Sequence, residues 1–310
     1  MTKVSVIILT WNGKEDTTQC LESLGKLSII NYQLSILVID NASTDGTPKA
    51  VKEVFKKISN PPKLTCKLIV NEKNLGFAEG NNVGMRDALK GGADFIMLLN
   101  NDTYVDENLV TDLIRELKKY PKAGVISPKI YFAKGFEYHK KRYKKIELGR
   151  VIWYAGGDID WNNVYGSNHG VDEVDRGQFE KAVDTDFATG CCMFFKSEVL
   201  DKVGLFDSRY YAYIEDADLS QRVKKAGWRV LYTPHAKLWH KVGQALGIGS
   251  ERNDYYITRN RLLFGFRYAR LRTKIALIRE SLGLLLKGRK WQKIGIRDFY
   301  LGRFGEGSWK

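Results

Sequence analysis

Four short apolar runs, each closed by polar residues and followed by a helix-length segment, constrain this chain more than any other feature. Val4 to Leu9, Leu34 to Ile39, Cys66 to Val70 and Phe95 to Leu99 have the β-branched, apolar make-up of strands buried on both faces. Between and after them, Lys14 to Leu27, Pro48 to Ile58, Phe77 to Leu89 and Asp106 to Tyr120 are helical in character. Thr47 reads as the N-cap of the second helix, with Pro48 at N1, where a missing N–H costs nothing. Strands alternating with helices of about ten to fifteen residues predict βαβ units and hence an α/β fold with a mostly parallel, right-handed sheet.

The polar residues closing those runs are the functional signal. Phe95 to Leu99 ends in Asn100-Asn101-Asp102 with no intervening glycine or proline. The other runs end in Thr10-Trp11-Asn12, in Asp40-Asn41 and in Asn74-Leu75-Gly76-Phe77. Ligands of open α/β sheets bind outside the carboxyl ends of the strands. A carboxylate placed there serves to hold a divalent cation against a phosphorylated ligand. Its plain alternative is that Asp102 caps a helix beginning near Asp106. One polar residue after a strand is a turn former, but four such clusters in register predict a site along one edge.

After Gly124 the pattern changes. Val125 to Pro128 reads as a short strand, and Lys134 to Arg150 as an exposed basic insertion. Phe187 to Phe195 reads as a strand, and Glu215 to Ala226 as a helix with Leu219 and Val223 on one face and Gly227 at its end. Trp228 to Tyr232 is a further strand, and from Arg252 the chain is helical, aromatic and basic. Of the +14 net charge, residues 241–310 hold 16 Lys/Arg against 5 Asp/Glu, a net +11. The longest apolar stretch, Ile275 to Leu286, is broken by Arg279 and Glu280 and is not expected to span a bilayer. A strand starting at Lys3 leaves no space for a signal peptide. Cys20, Cys66, Cys191 and Cys192 show neither a disulfide framework nor metal-ligand spacing, so they read as buried thiols of a cytoplasmic protein.

In order and spacing these segments closely resemble glycosyltransferase family 2, the inverting nucleotide-sugar enzymes of GT-A (Rossmann-like) fold. The resemblance covers about residues 3–260. It is carried by Val4-Ser5-Val6-Ile7-Ile8 with Thr10-Trp11-Asn12, Val38-Ile39-Asp40-Asn41-Ala42-Ser43, Asn74-Leu75-Gly76-Phe77-Ala78 with Gly80-Asn81-Asn82, and Leu98-Leu99-Asn100-Asn101-Asp102-Thr103. The second half adds Thr189-Gly190, Phe206-Asp207, Glu215-Asp216-Ala217-Asp218-Leu219 and Trp239-His240 with Gly243. The middle set is most similar to the rhamnosyltransferase-type branch.

The resemblance implies a catalytic region over residues 1–240, with a nucleotide-binding half (1–124) and an acceptor-binding half (125–240), and a basic helical C-terminal region over 241–310. It implies a UDP- or dTDP-sugar donor. Asp40 would accept the N3–H of uracil or thymine, with Trp11 as a flat face by the base and Thr10 and Asn12 nearby. Asn74, Gly76 and Phe77 open a helix whose exposed N–H groups suit an anion. The family's aspartate-any-aspartate motif appears as Asn100-Asn101-Asp102, with the first acid replaced by an amide. Asn100 can still hydrogen-bond a ribose, while Asp102, joined by His240, is left to hold Mg²⁺ or Mn²⁺. Asp216, in the glutamate-aspartate motif, would be the general base, its pKa raised by the like charges of Asp207, Glu215 and Asp218 and by partial desolvation. Gly190, Glu215, Tyr256 and Arg259 would meet the acceptor or the phosphates, Tyr255, Tyr256, Arg259 and Asn260 closing over the latter.

The implied acceptor is a hydroxyl of a glycan or lipid-linked glycan. Processive polysaccharide synthases share the first half but carry Gln-x-x-Arg-Trp and membrane spans, neither of which occurs here. Sugar nucleotidyltransferases expect a glycine-rich loop where Thr10-Trp11-Asn12-Gly13 stands. A nucleic-acid-binding module would explain the basic tail and the Lys140–Lys145 run, but clustered charge alone gives only nonspecific binding, and no reading motif accompanies it. A catalytically silent sugar-nucleotide binder is the remaining alternative, opposed by the retention of Asp102, Asp216 and His240. The tail is expected to rest on an anionic membrane surface through Leu262, Leu263, Phe266, Leu284, Leu285 and Trp291, at the cytoplasmic face. The competing expectation is that these residues pack on the catalytic region or on a second subunit.

Overall fold

The computed structural model describes residues 1–242 and 250–309. Its first half follows the alternation read from the sequence: β1 (Thr2–Thr10), α1 (Lys14–Leu24), β2 (Tyr32–Asp40), α2 (Thr47–Ile58), β3 (Leu64–Val70), α3 (Gly76–Lys90) and β4 (Phe95–Asn100). Then come β5 (Thr103–Val105), α4 (Leu109–Lys119), β6 (Ala123–Phe132), β7 (Ile152–Tyr154), β8 (Gly157–Asp160), β9 (Tyr165–Asn168) and β10 (Val183–Asp184). The remainder is β11 (Cys192–Lys196), α5 (Ser197–Val203), α6 (Glu215–Lys225), β12 (Arg229–His240), α7 (Glu251–Tyr268), α8 (Leu271–Lys287) and α9 (Lys290–Tyr300).

The main sheet runs β10-β12-β6-β11-β4-β1-β2-β3, with β5 on β12 and β7 on β6. β4, β1, β2 and β3 are parallel, and so are β6 and β12. β11 lies antiparallel between β4 and β6. Two reversals restore direction, so the carboxyl ends of β1, β2, β4 and β12 and the amino end of β11 share one edge. That shared edge is where the site forms.

The sheet is covered on both faces. Val4, Val6 and Ile8 of β1 point into a core with Leu21 and Leu24 of α1, Val51 of α2 and Leu113 of α4. Ile7 faces the other core, with Met85 of α3, Leu200 of α5 and Leu219 and Val223 of α6. Period-two alternation on a strand covered on both sides explains why all these positions are apolar. α3 lies unusually close to the sheet. A Cβ on Gly80 would come within 2.5 Å of Leu9, and one on Gly84 within 2.5 Å of Ile7.

Several boundaries differ from the sequence reading. α1 stops at Leu24, its end tightening into bonds from the Lys26 N–H to Ser23 and the Leu27 N–H to Leu24, and Gly25 leaves room for Ile58 of α2, which an added Cβ would meet at 2.6 Å. The N-cap of α2 is Gly46 at φ +85°, not Thr47, whose N–H and hydroxyl both bond Asp45 Oδ1. α4 begins at Leu109 rather than Asp106, since Thr103–Val105 pairs with β12 first. Asp102 therefore caps no helix near Asp106. β6 extends over ten residues, and β12 runs on from the expected Trp228–Tyr232 strand to His240 through an irregular register between Thr233 and Lys237. Pairing in β11 starts only at Cys192, leaving 187–191 as a loop. The basic insertion is anchored by buried Glu137, which accepts the N–H groups of Gly135 and Gly149. The four cysteines are free thiols, with Cys66 only half-buried.

The C-terminal helices pack on this body. Leu262, Leu263 and Phe264 of α7 are buried in the main core, and Phe266, Leu284 and Leu285 lie against it. Trp291 packs with Trp309 and Tyr255. The six apolar residues expected to meet a membrane thus face inward, because α7, α8 and α9 bury them against one another and the body. Among the described residues, no helix is long and apolar enough to cross a membrane.

Candidate active site

Each strand end delivers its polar residue to the shared edge. Asp40, the last residue of β2, is fully buried. Its Oδ1 accepts the Ser43 N–H at 2.9 Å, and its Oδ2 is buried without a protein partner. An unmet buried carboxylate oxygen is costly unless a ligand supplies a donor. Trp11, beside it at the end of β1, is 50% exposed.

Other residues at this edge shape loops through their own hydrogen bonds. Thr10 Oγ1 lies 2.8 Å from Thr17 Oγ1, and Asn101 Nδ2 donates to Thr17 Oγ1 at 3.0 Å. Asn12, at φ +49°, donates its N–H to Ser43 Oγ and accepts the Thr44 N–H, clipping the β1 and β2 loops together. Asn41, which the sequence reading left without a role, is a hub. Its Nδ2 donates to Asn74 Oδ1 and to the Gly76 carbonyl, and its Oδ1 accepts from Asn71. Asn100 closes β4, its N–H bonded to the Cys191 carbonyl.

The expectation that free N–H groups at the start of α3 hold an anion is corrected. Asn74 Oδ1 takes the Gly76 N–H, and the carbonyl of Tyr211 takes those of Phe77 (2.6 Å) and Ala78 (3.0 Å). Gly76 is needed at φ +77°, where a Cβ would sit 2.5 Å from the Tyr211 ring.

Asp102 and His240 are brought together by strand pairing. β5 pairs with β12 so that Thr103 faces His240, and His240 Nε2 lies 3.0 Å from Asp102 Oδ1. The imidazole is buried edge-on to Trp153, and its Nδ1 has no partner. Among the described residues, no group of three or more His, Cys, Asp and Glu side chains could hold a metal ion by itself. The Asp102 carboxylate fits a cation whose other ligands are phosphate oxygens and water, the usual way Mg²⁺ is held, while the His240 imidazole would be a further nitrogen donor that Mg²⁺ does not ordinarily take. Lys241 follows directly, bonded to Asp16 and Gln19 of α1.

Asp216 stands across the edge. Its Oδ2 accepts the Gly190 N–H at 2.8 Å and its Oδ1 the Ala217 N–H at 2.7 Å. Gly190 fits between it and the Phe77 ring, with 3.4 Å to each for an added Cβ. Burial raises the Asp216 pKa above the usual carboxylate range, partly offset by those N–H donors. Like-charge crowding from Asp207 and Asp218 is not the cause, a second correction. Asp207 pairs with Arg209 and Arg267, and Asp218 with Arg222 and Arg267. Glu215 is buried, with Oε2 unpartnered, and burial followed by the neighbouring Asp216 pushes its pKa well up.

Three non-glycine residues before this pair, Tyr211, Tyr213 and Ile214, have positive φ (62°, 70° and 73°). Such strain persists only where surroundings over-determine it, and α7 supplies them. Asn260 Nδ2 donates to the carbonyls of Tyr210, Ala212 and Tyr213. Arg259 Nη2 donates to those of Arg209 and Tyr210, both at 3.1 Å, and Nη1 to Tyr255 Oη. Tyr256 stacks on Tyr211 at 5.2 Å and donates to the Glu306 carbonyl. Closure of Tyr255, Tyr256, Arg259 and Asn260 over phosphates is therefore corrected: these fully buried side chains face the turn and bond protein atoms. Gly243 lies outside the described residues.

The order of these segments matches the profile of glycosyl transferase family 2 over residues 5–204. The chain belongs to that family. Among curated relatives of this glycosyltransferase, N-acetylglucosaminyl-diphospho-decaprenol L-rhamnosyltransferase of Mycobacterium tuberculosis is 26% identical over 233 residues, 72% of each chain. Poly-beta-1,6-N-acetyl-D-glucosamine synthase of Staphylococcus epidermidis is 26% identical over 247 residues, 79% of this chain but only 51% of that one. The fold is similar to that of GalNAc-T7, solved with UDP, GalNAc and Mn²⁺, at a TM-score of 0.64 and 16% identity over 97% of this chain and 56% of that one.

Proposed function

We propose that the protein is an inverting glycosyltransferase moving a sugar from a UDP- or dTDP-sugar to a hydroxyl of a glycan or lipid-linked glycan. The observation that carries this reading is the convergence of three chemically distinct groups on one sheet edge. They are the unmet Asp40 oxygen, the Asp102–His240 pair, and the raised-pKa carboxylate of Asp216. The relative named as a rhamnosyltransferase of a lipid diphosphate supports a lipid-linked acceptor.

In this reading Asp40 accepts the N3–H of a uracil or thymine, and Trp11 covers the base. Asp102 and His240 are the residues that would hold Mg²⁺ or Mn²⁺. The bound cation would offset charge on the departing diphosphate. Asp216, held by two N–H donors, takes the proton of the acceptor hydroxyl. The acceptor oxygen bonds the anomeric carbon, and the bond to the donor diphosphate breaks on the opposite face, its electron pair leaving with the nucleoside diphosphate. Burial raises the affinity of the Asp216 carboxylate for that proton. Glu215, Gly190 and the 187–191 loop border the acceptor side.

A thermal-shift panel of UDP- and dTDP-sugars with and without Mn²⁺ tests the reading, because a ligand of the native state raises stability by mass action. One nucleotide series is expected to raise Tm, with a further rise in Mn²⁺ that Asp102→Ala removes. No response to either series would end the proposal, and an Mn²⁺ increment unchanged in Asp102→Ala would end the metal assignment.

A further inference from the structure

The outward face of α8 carries an apolar stripe that the described residues leave in large part exposed. Leu271, Ile275, Ile278, Leu282 and Leu286 recur at helical spacing and are between 38% and 77% exposed. At about 100° per residue they fall within one narrow sector. Arg272 and Arg279 border that sector on one side and Lys274 on the other, all on the same helix. The stripe runs about 22 Å, at a rise of 1.5 Å per residue.

The opposite face of α8 is firmly seated. Leu277 lies over Gly265 of α7, where an added Cβ would come within 2.4 Å of it. Thr273 donates to the Trp161 carbonyl, and Ser281 Oγ meets Tyr300 Oη of α9. Glu280, the acid of α8, is held by both terminal nitrogens of Arg261. The helix thus presents an apolar stripe flanked by cations, with its acidic residue already neutralised.

We propose that α8 docks lengthwise on an anionic lipid surface, its stripe in the headgroup boundary and Arg272, Lys274 and Arg279 against lipid phosphates. A helix with an apolar face and basic shoulders lies in the interface plane rather than across it. A second copy of this chain is a poorer occupant, because pairing two stripes would bring their basic shoulders together. The inference deepens the reading of a lipid-linked acceptor. α7, which seats α8, also buttresses the turn before Asp216, so one element joins the docking helix to the acceptor side.

Flotation of the full chain with phosphatidylcholine vesicles, with and without phosphatidylglycerol, tests it, alongside nucleotide thermal shifts in vesicle-free solution. Wild type is expected to float with phosphatidylglycerol vesicles at low salt and to be released by salt. The double variant Ile278→Glu, Leu282→Glu alters only exposed side chains. It is expected to lose at least about tenfold in vesicle affinity with unchanged circular dichroism and nucleotide response. Arg272→Gln and Arg279→Gln should each lose about fivefold toward phosphatidylglycerol. Failure of wild type to float, or flotation of the double variant equal to wild type, would overturn the proposal. So would a wild-type dimer that the double variant makes monomeric without any vesicle binding. A chain that floats but ignores every sugar nucleotide would remove the catalytic reading and leave the docking intact.

Discussion

On the proposed donor side of the sheet edge, Asp40, Asp102 and His240 sit where strands end, placed by backbone pairing. On the proposed acceptor side, Asp216 follows a turn of strained backbone whose shape depends on Asn260, Arg259 and Tyr256, which come from a helix far along the chain. The first arrangement is local and inexpensive in strain. The second is non-local, and its precision depends on buried side chains that touch no substrate. Damage to the donor side should therefore appear as weaker binding, and damage to the acceptor side as slower transfer or lower stability.

The largest effect expected is from Asp216→Asn. Removing the proton acceptor should lower kcat by about 10²–10⁴ with donor affinity nearly unchanged. Steady-state rates and titration of the donor separate the two, and turnover near wild type would place the base elsewhere. For wild type, the raised pKa means that activity falls as pH drops through a value above the ordinary carboxylate range.

Arg259→Ala tests the buttress. It removes one hydrogen bond each from the carbonyls of Arg209 and Tyr210, which keep the Gly305 N–H and Asn260 Nδ2 as donors, and it empties a fully buried side-chain site, costing about 3 kcal/mol, measured by urea unfolding. Transfer should fall with it while nucleotide affinity stays. A stable, fully active variant would mean that the turn holds its own shape.

Asp40→Ala should weaken free nucleoside diphosphate binding by about 1–3 kcal/mol, even without metal, with kcat at saturating donor little changed. Calorimetric titration checks this, and unaltered affinity would return Asp40 to a purely structural role at the β2 turn.

The smallest effect concerns Glu215. Its folded pKa is raised, so the stability it contributes is full below about pH 4 and is lost as pH rises through the raised value. Glu215→Gln should therefore melt higher than wild type at neutral pH, and the gap should close on acidification. A constant difference across pH would show that the Glu215 pKa is the same in the folded and unfolded chain.

Legibility in the sequence follows the same division. β1 to β4 and their closing residues were readable, because two-sided burial demands unbroken apolar runs and the break marks the site. The Thr103–Val105 strand was hidden by its shortness, and without it Asp102 could be mistaken for a helix cap. His240 and Asp102 are linked by the family resemblance, but the β5–β12 pairing that brings them together is encoded by no local pattern. The antiparallel course of β11, which carries Gly190 to the edge, was likewise invisible. Arg259 and Tyr256 were picked out by type, yet an arginine bound to backbone carbonyls and one bound to phosphate look alike in a sequence. Asn41 went unassigned, although an Asp-Asn pair closing a strand is the signal that could have revealed it. The stripe on α8 was within reach, since Leu271, Ile275, Ile278, Leu282 and Leu286 keep helical spacing. The reading instead followed hydrophobic size and chose residues that face inward.

The Tyr211 carbonyl accepts the Phe77 and Ala78 N–H groups, and so fastens the start of α3 to the turn that precedes Asp216. The two elements are riveted at that point, and a hinge between them would have to act elsewhere. Because the rivet is a main-chain atom, replacing the tyrosine side chain cannot delete it directly. Its vulnerable point is instead the opposite residue, Gly76, where any side chain would force the plates apart. The seam is thus constrained on both sides, by a tyrosine ring stacked on Tyr256 and by a glycine that leaves no room for a side chain.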